Sequence, residues 1–417
     1  MAFDPAFTLL ALAALAGFYL AWNIGANDVA NAMGTAVGSG AIRLATALVI
    51  AGVFEFAGAM LVGDTVSQTL ERGVIDAARF DFGTRDYAIG LAVALFTAGG
   101  WLNVASSRGW PVSTTHSIVG ALVGAGIAGG GFDAVRWPTV GIIAVTWVVT
   151  PILGGLLAYA LFRLMQSLVL DARSPLARLR WWGPVFVAPI FATVAFAAEF
   201  RTPALLGSAI DPRPALVDAA LVALVSGALV VPLFLRATRG AEALSHNESM
   251  VRAERVFGRL QILTACFIAF AHGSNDVANA VGPLAGVFRS IAGASSAVAT
   301  APWVLTLLGA VGVVVGLAAY GYRVIETVGT AITELTPTRG FVAEASASTV
   351  IVAASGIGLP VSATHALVGA IVGVGFARSI GAINAQVLRS VGTSWLVTLP
   401  ATAVAAAALT RALIAFF

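Results

Sequence analysis

Ten residues occur twice in this chain with seven positions unchanged. Asn23 to Ala32 reads NIGANDVANA, and Ala271 to Ala280 reads AHGSNDVANA, which sets Asp28 against Asp276 at an offset of 248 residues. A second pair of blocks keeps the spacing. GWPVSTTHSIVGALVGAGIAG (Gly109 to Gly129) matches GLPVSATHALVGAIVGVGFAR (Gly358 to Arg378), with Pro111 against Pro360 at offset 249. A third pair, TWVVT (Thr146 to Thr150) and SWLVT (Ser394 to Thr398), returns to 248. Blocks that recur in order at one spacing mean one unit built twice, and a repeat governs every later fold argument. The expected organisation is a first repeat over 1–165, an unrepeated linker over 166–255, and a second repeat over 256–417.

The setting of these motifs is apolar. Of 417 residues 59% are hydrophobic and 10% charged, whereas a soluble domain carries about a quarter charged residues. Stretches such as Leu221 to Leu235 and Val304 to Gly321 are continuous apolar runs. Roughly ten to twelve such stretches are legible, some too short to span alone, against a need of about 20 residues to cross a bilayer. The expected fold is an all-α polytopic membrane protein of two inverted-topology repeats, with broken helices and re-entrant hairpins around a central site. Its place is the cell's inner (plasma) membrane, in contact with the lipid bilayer and crossing it many times. The first run, Phe7 to Trp22, is read as a span leading into the polar motif. The MAFDPA before it lacks the positive charge of a signal peptide.

Net charge is +3 and every basic residue is arginine, with no basic tail that would bind nucleic acid. The single cysteine, Cys266, has no internal disulfide partner and is read as a small buried residue. Two arginine-rich interruptions, Phe162 to Arg180 and Arg236 to Arg259, bracket two linker spans. The excess of positive charge places both in the cytoplasm. The connector EFRTPALLGSAIDPRP, which balances its arginines with Glu199 and Asp211, is then outside.

On a helix, Asn27 and Asn31 share a face with Asp28 beside them, and Gly25 and Gly34 weaken the helix around the cluster. Asn275, Asp276 and Asn279 repeat the pattern. An aspartate at membrane depth must face a cavity, pair, or hold an ion. No arginine or lysine is near either aspartate in sequence. Carboxylate and amide oxygens suit a hard cation such as Na+ at Asp28 and Asp276. The alternative is a carboxyl protonated for part of a cycle. A purely structural helix contact is the bland reading, and duplication weighs against it.

The P-V-S-x-T-H blocks read as helix starts. Ser113, Thr114 and Thr115, with Ser362 and Thr364 in the second copy, add hydroxyls to the free N–H groups there. Such a helix start is a ready anion site. Each block follows an apolar or small-residue segment, so each pair reads as a hairpin with donors at its tip. Donors bind an oxyanion and acceptors bind cations, and inverted repeats bring both to the midplane.

At these residues the chain resembles the inorganic phosphate transporter (PiT) family of secondary transporters. The resemblance rests on G-A-N-D-V-A-N-A, G-S-N-D-V-A-N-A, both P-V-S-x-T-H blocks and ELTPTRGFVAEASAS (Glu334 to Ser348), and it covers both halves. It implies two inverted repeats around a phosphate site and uptake coupled to Na+ or H+, with no cofactor. Carried over, Asn27, Asp28, Asn31, Asn275, Asp276 and Asn279 serve cation and substrate. Ser113, Thr114, Thr115, Ser362 and Thr364, with the two aspartates, bind phosphate. Ala363 departs from the pattern, which disturbs twofold use of the donors. Glu55 and Glu344, in apolar runs, resemble recurring acidic positions and are read as a proton relay or gate, or as structural hydrogen bonds. His116 and His365 are read as fixing hairpin geometry, His246 has no assigned role, and Trp137, Trp181, Trp182 and Trp303 read as interface anchors.

A coupling logic follows. Two ionised aspartates beside a phosphate anion repel it in a low dielectric, so cations or protons must bind with it. Phosphate still carries a proton that an aspartate can accept, whereas sulfate leaves the acceptor unpaired at about 1–3 kcal/mol. That favours phosphate, with a sulfate permease of the same family as the alternative. A passive channel is a rival reading, since broken helices and filters occur there too, and cation-dependent accumulation against a gradient would exclude it. An enzyme is disfavoured, because the motifs lack a Lys or Arg clamp, a nucleotide loop and a clustered His/Asp metal set. Whether further copies of the chain associate is left open.

Overall fold

The computed structural model describes residues 4–80, 83–108, 110, 112–199, 213–293, 302–328, 335–379 and 383–416, with backbone alone over 322–328. Gly109, Pro111, Glu334 and most of the connector, including Arg201 and Asp211, lie outside the described residues. Apart from one isolated bridge between Ile75 and Val135, every regular element among the described residues is a helix.

The first repeat runs α1 (Pro5–Gly38), α2 (Leu44–Arg72), α3 (Thr84–Ser107), α4 (Thr114–Gly130) and α5 (Trp137–Met165). Two linker helices follow, α6 (Pro175–Glu199) and α7 (Arg213–Ala237). The second repeat runs α8 (His246–Asp276), α9 (Ala278–Ala292), α10 (Trp303–Val328), α11 (Pro337–Gly356), α12 (Ala363–Arg378) and α13 (Ala385–Phe416). Among the described residues nine helices are long and apolar enough to cross a membrane, α8 and α9 counting as one. Some of the roughly ten to twelve apolar stretches are expected to be too short to span alone, and α4 and α12 are such stretches. α4 has 17 residues and α12 has 16, about 25 Å at 1.5 Å per residue, short of a hydrocarbon core of about 30 Å. Each starts within the structure rather than at its surface. α11 is a continuous helix, but Glu344, Ser346, Ser348 and Thr349 interrupt its apolar character.

The expected break in the first polar motif is absent. α1 is one continuous helix through Asn27, Asp28 and Asn31 to Gly38. Gly25 does not unwind it but admits a neighbour: a Cβ there would lie 1.9 Å from the carbonyl oxygen of Val313 in α10. Only in the second copy is the helix interrupted, at the single residue Val277 between α8 and α9, whose backbone keeps a helical conformation. Just beyond, Pro283 withdraws a backbone donor where the first copy has Thr35.

The contacts give the handedness of the repeat directly. Along α1, Gly17 meets Leu284, Asp28 meets His272, and Ser39 bonds to Gln261. The chain rises on one side and falls on the other, so α1 and its sequence-equivalent α8–α9 run antiparallel. The repeats are therefore inverted. Partners exchange accordingly: α1 packs on α10 and α8–α9 on α2, while α4 packs on α13 and α5 on α12. The hairpins are α3–α4 and α11–α12.

Two apolar clusters hold the fold. One gathers α1 to α4 with α9 and α10, and the other gathers α5 to α8 with α11 and α12. The arginine-rich segments meet on one face, where Arg180 bonds to Thr238 and pairs with Glu242 and where Ser174 bonds to Ala241. Cys266 is half-buried rather than enclosed. Trp137, Trp181 and Trp303 are exposed, while Trp182 packs against the second cluster.

Candidate functional site

The two N-D-V-A-N motifs build the same local device. An asparagine one residue before the aspartate and one three residues after turn their amides onto one carboxylate oxygen. Asp28 Oδ1 accepts from Asn27 at 3.1 Å and Asn31 at 3.0 Å. Asp276 Oδ1 accepts from Asn275 at 2.8 Å and Asn279 at 3.5 Å. All six side chains are buried. The asparagines fix one oxygen and leave the other, Oδ2, to face inward. Asp28 Oδ2 and Asn279 Oδ1 have no hydrogen-bond partner among the described residues. Buried unpaired acceptors of this kind call for a cation or a proton.

Between the aspartates stands His272, to which sequence reasoning gave no role. Its Nε2 lies 2.7 Å from Asp276 Oδ2 and 3.7 Å from Asp28 Oδ2, and its Nδ1 lies 3.2 Å from Glu55 Oε1. One ligand atom each from Asp28, His272 and Asp276 falls within a common 4.8 Å. The expectation that the motifs lack a clustered His/Asp set is therefore overturned. No arginine or lysine lies near either aspartate in sequence, as expected, and the basic neighbour that the fold supplies is a histidine. The cause is tertiary: inversion of α8 against α1 delivers Asp28 to a histidine 244 positions away. One signal was present in the sequence. Ile24 occupies in the first copy the place of His272 in the second, and a histidine four residues before an aspartate on a helix shares its face.

The hydroxyl blocks start helices as expected. Ser113 caps α4 by accepting from the His116 N–H, and Ser362 caps α12 by accepting from the His365 N–H, both at 3.2 Å. The next residues cross between repeats. Asn31 Nδ2 donates to Thr364 Oγ1 at 2.8 Å, and Asn279 Nδ2 lies 3.4 Å from both Thr114 Oγ1 and Thr115 Oγ1. Thr115 Oγ1 donates to the Val361 carbonyl at 2.9 Å. So the motif asparagines of each repeat touch the helix start of the other, and donors and acceptors form one buried centre.

The structure divides the two glutamates. Glu55 joins the centre through His272. Glu344, fully buried, does not reach it: its carboxylate accepts from Thr35, Gln261 and Thr264. Thr35 lies one turn beyond Asn31 on α1, so Glu344 braces the motif helix from behind. The two motif histidines meet at the repeat boundary. His116 Nδ1 faces the Trp395 carbonyl at 3.4 Å and His365 Nδ1 the Trp147 carbonyl at 2.9 Å. Their rings are 4.6 Å apart. They tie each hairpin to the opposite repeat. His246 contacts the Arg173 carbonyl at the surface.

In chemical terms, carboxylate and amide acceptors can hold cations while hydroxyls and helix N-termini receive an anion. An imidazole bridges three carboxylates in the same enclosure.

Residues 24–406 match the model of the phosphate transporter family. Over 412 residues the chain is 43% identical to the chloroplastic inorganic phosphate transporter 2-1 of Arabidopsis thaliana, covering 93% of this chain and 69% of that protein. It is 41% identical to a putative phosphate permease of Pyrococcus furiosus, covering 98% and 97% of the two chains. A solved sodium-dependent phosphate transporter superposes with a TM-score of 0.89 at 36% identity, covering 98% of this chain and 100% of that one.

Proposed function

Given that the chain belongs to the phosphate transporter family, a family of transporters and not of enzymes, we propose that it imports inorganic phosphate by symport with a cation. Transport runs by alternating access at the buried centre between the repeats, 1–165 and 256–417, across the plasma membrane. The linker over 166–255 contributes α6 and α7. The observation that carries the reading is the inward pairing of Asp28 and Asp276 beside the helix starts at Ser113 and Ser362. A carboxylate pair repels an anion unless positive charge arrives with it, so coupling is built into the composition of the site. The name of the solved neighbour supports Na+ as the coupling ion.

In this reading Asp28 and Asp276, with the oxygens of Asn27, Asn31, Asn275 and Asn279, take the cation. Ser113, Thr114, Thr115, Ser362 and Thr364 serve the phosphate. Glu55 relays a proton to His272, whose imidazolium carries positive charge beside Asp276, and Glu344 gates through Thr35. A phosphate proton facing an aspartate favours phosphate over sulfate.

The test is uptake into proteoliposomes under a Na+ gradient and a pH gradient imposed separately, with sulfate as competitor. Phosphate accumulation driven by one gradient, and lost in Asp28→Asn and Asp276→Asn, is expected. Flux indifferent to both gradients makes the protein a channel. Sulfate accumulation in place of phosphate overturns the selectivity.

A further inference from the structure

The two hairpins begin from nearly the same sequence, yet they are held differently. Val112 and Val361 are equivalent residues, one before each capping serine, and both are fully buried. The Val361 carbonyl accepts from Asn275 Nδ2 at 2.7 Å, and the Val361 N–H donates to Asn275 Oδ1 at 3.3 Å. Thr115 adds its hydroxyl to the same carbonyl. The first repeat does not repeat this. Asn27 Oδ1 instead accepts from Ser106 Oγ at 3.1 Å. Among the described residues neither Asn27 nor Thr364 bonds to Val112.

Other equivalent pairs lean the same way. Asn31 reaches Thr364 at 2.8 Å, whereas Asn279 reaches Thr115 at 3.4 Å. His365 reaches the Trp147 carbonyl at 2.9 Å, whereas His116 reaches the Trp395 carbonyl at 3.4 Å. Thr69 adds a bond to the Gly358 carbonyl at 2.7 Å. The caps are alike at 3.2 Å in both copies, so the difference lies in what grips the start of each hairpin's second helix and not in the helices.

We propose that Asn27 and Asn275 are alternating latches, each able to grip the backbone of its own repeat's valine, Val112 or Val361, and that this structure is the state latched at Asn275. Matched donors and acceptors on both sides make the exchange nearly balanced, since bonds released at one valine are remade at the other. A packed element with two such arrangements is bistable and does not deform continuously. In the opposite state Asn27 grips Val112, Thr364 donates to the Val112 carbonyl, and Asn275 turns to Ser355, the equivalent of Ser106. The asparagines next to the cation-binding aspartates thereby link occupancy of the site to which hairpin is held. The inference rests on the alternating-access reading above, and its test is separable from it.

In full-length protein carrying Cys266→Ser, which removes the single cysteine, two pairs are compared in proteoliposomes. One is Asn275→Cys with Val361→Cys, and the other is Asn27→Cys with Val112→Cys. Cross-linking under mild oxidation is the readout, so the variants need not transport. Both pairs are expected to cross-link, and reversing the ion and phosphate gradients should raise one yield several-fold while lowering the other. Cross-linking of the first pair alone under every gradient, in monodisperse protein, overturns the latch. Should either double variant not fold, single Val112→Cys and Val361→Cys proteins are probed with a small thiol reagent. Reciprocal labelling upholds the proposal, and labelling that never responds to the gradients overturns it. Reciprocal cross-links in a protein whose Cys266→Ser parent takes up no phosphate would sink the proposed function while leaving the latch standing.

Discussion

His272 is the residue at which the two halves of the site stop being equivalent. An imidazole with Asp276 on one nitrogen and Glu55 on the other is the one basic side chain among the described residues of the centre. Hydrogen bonds to charged groups contribute about 1.5–3 kcal/mol, roughly a 10- to 100-fold effect on an equilibrium or rate. His272→Gln keeps the volume but cannot carry the charge. Phosphate uptake should fall at least about tenfold by that argument, and the dependence on cation concentration should change with it. Initial rates measured across a cation series decide this. A variant with the parent's rate and the parent's cation curve would remove His272 from the mechanism. The same substitution reasoning separates Glu55, which touches His272, from Glu344, which touches only hydroxyls and an amide.

At the scale of the elements, the site depends on how closely α2 and α8 cross. A Cβ on Gly273 would lie 2.0 Å from the Glu55 carbonyl oxygen, and one on Gly58 would lie 2.0 Å from the Phe270 carbonyl oxygen. These are backbone obstacles, so a methyl group must push the helices apart. Overpacking of this kind costs about 1–3 kcal/mol. Gly273→Ala should lower the thermal midpoint in detergent and raise the cation concentration needed for half-maximal uptake, because Glu55 and His272 move with their helices. Gly141→Ala is the control, since nothing lies within 4 Å of a Cβ there. Equal midpoints for the two variants would mean that the crossing is not tight. The hairpins α3–α4 and α11–α12 and their serine caps could be read from the P-V-S blocks alone, because capping is a local bond between a side chain and a backbone N–H three residues on. The crossing could not, because the glycines meet helices far away in the chain.

Across the whole molecule, the inverted repeats bring four motifs from different parts of the chain to one seam. In the proposed mechanism a cation bound by the aspartates would lower the repulsion that phosphate meets, and phosphate would raise cation affinity by the same factor. Phosphate alone should therefore raise the thermal midpoint little. Phosphate with the coupling cation should raise it by more than the two separate shifts combined, since ligand binding stabilises through occupancy of the native state. Differential scanning fluorimetry with Na+, and separately at lowered pH without Na+, reads this out. Additive shifts under both conditions would exclude coupled binding at one site.

The sequence by itself determined that the chain is a helical membrane protein, that it is duplicated, and which motifs carry polar groups into an apolar setting. These properties depend on composition, on spacing along one helix, and on bonds between near neighbours. It named both aspartates, their asparagines and the capping serines for that reason. Only the tertiary structure decided the rest. It kept α1 unbroken where the glycines suggested a break, since packing against α10 uses Gly25 as a contact. It set His272 between Asp28, Asp276 and Glu55, drew Glu344 away from them, and bonded Asn275 to the Val361 backbone while Asn27 took the Ser106 hydroxyl. Each of these rests on residues of different helices that inversion makes neighbours, which no local pattern along the chain encodes.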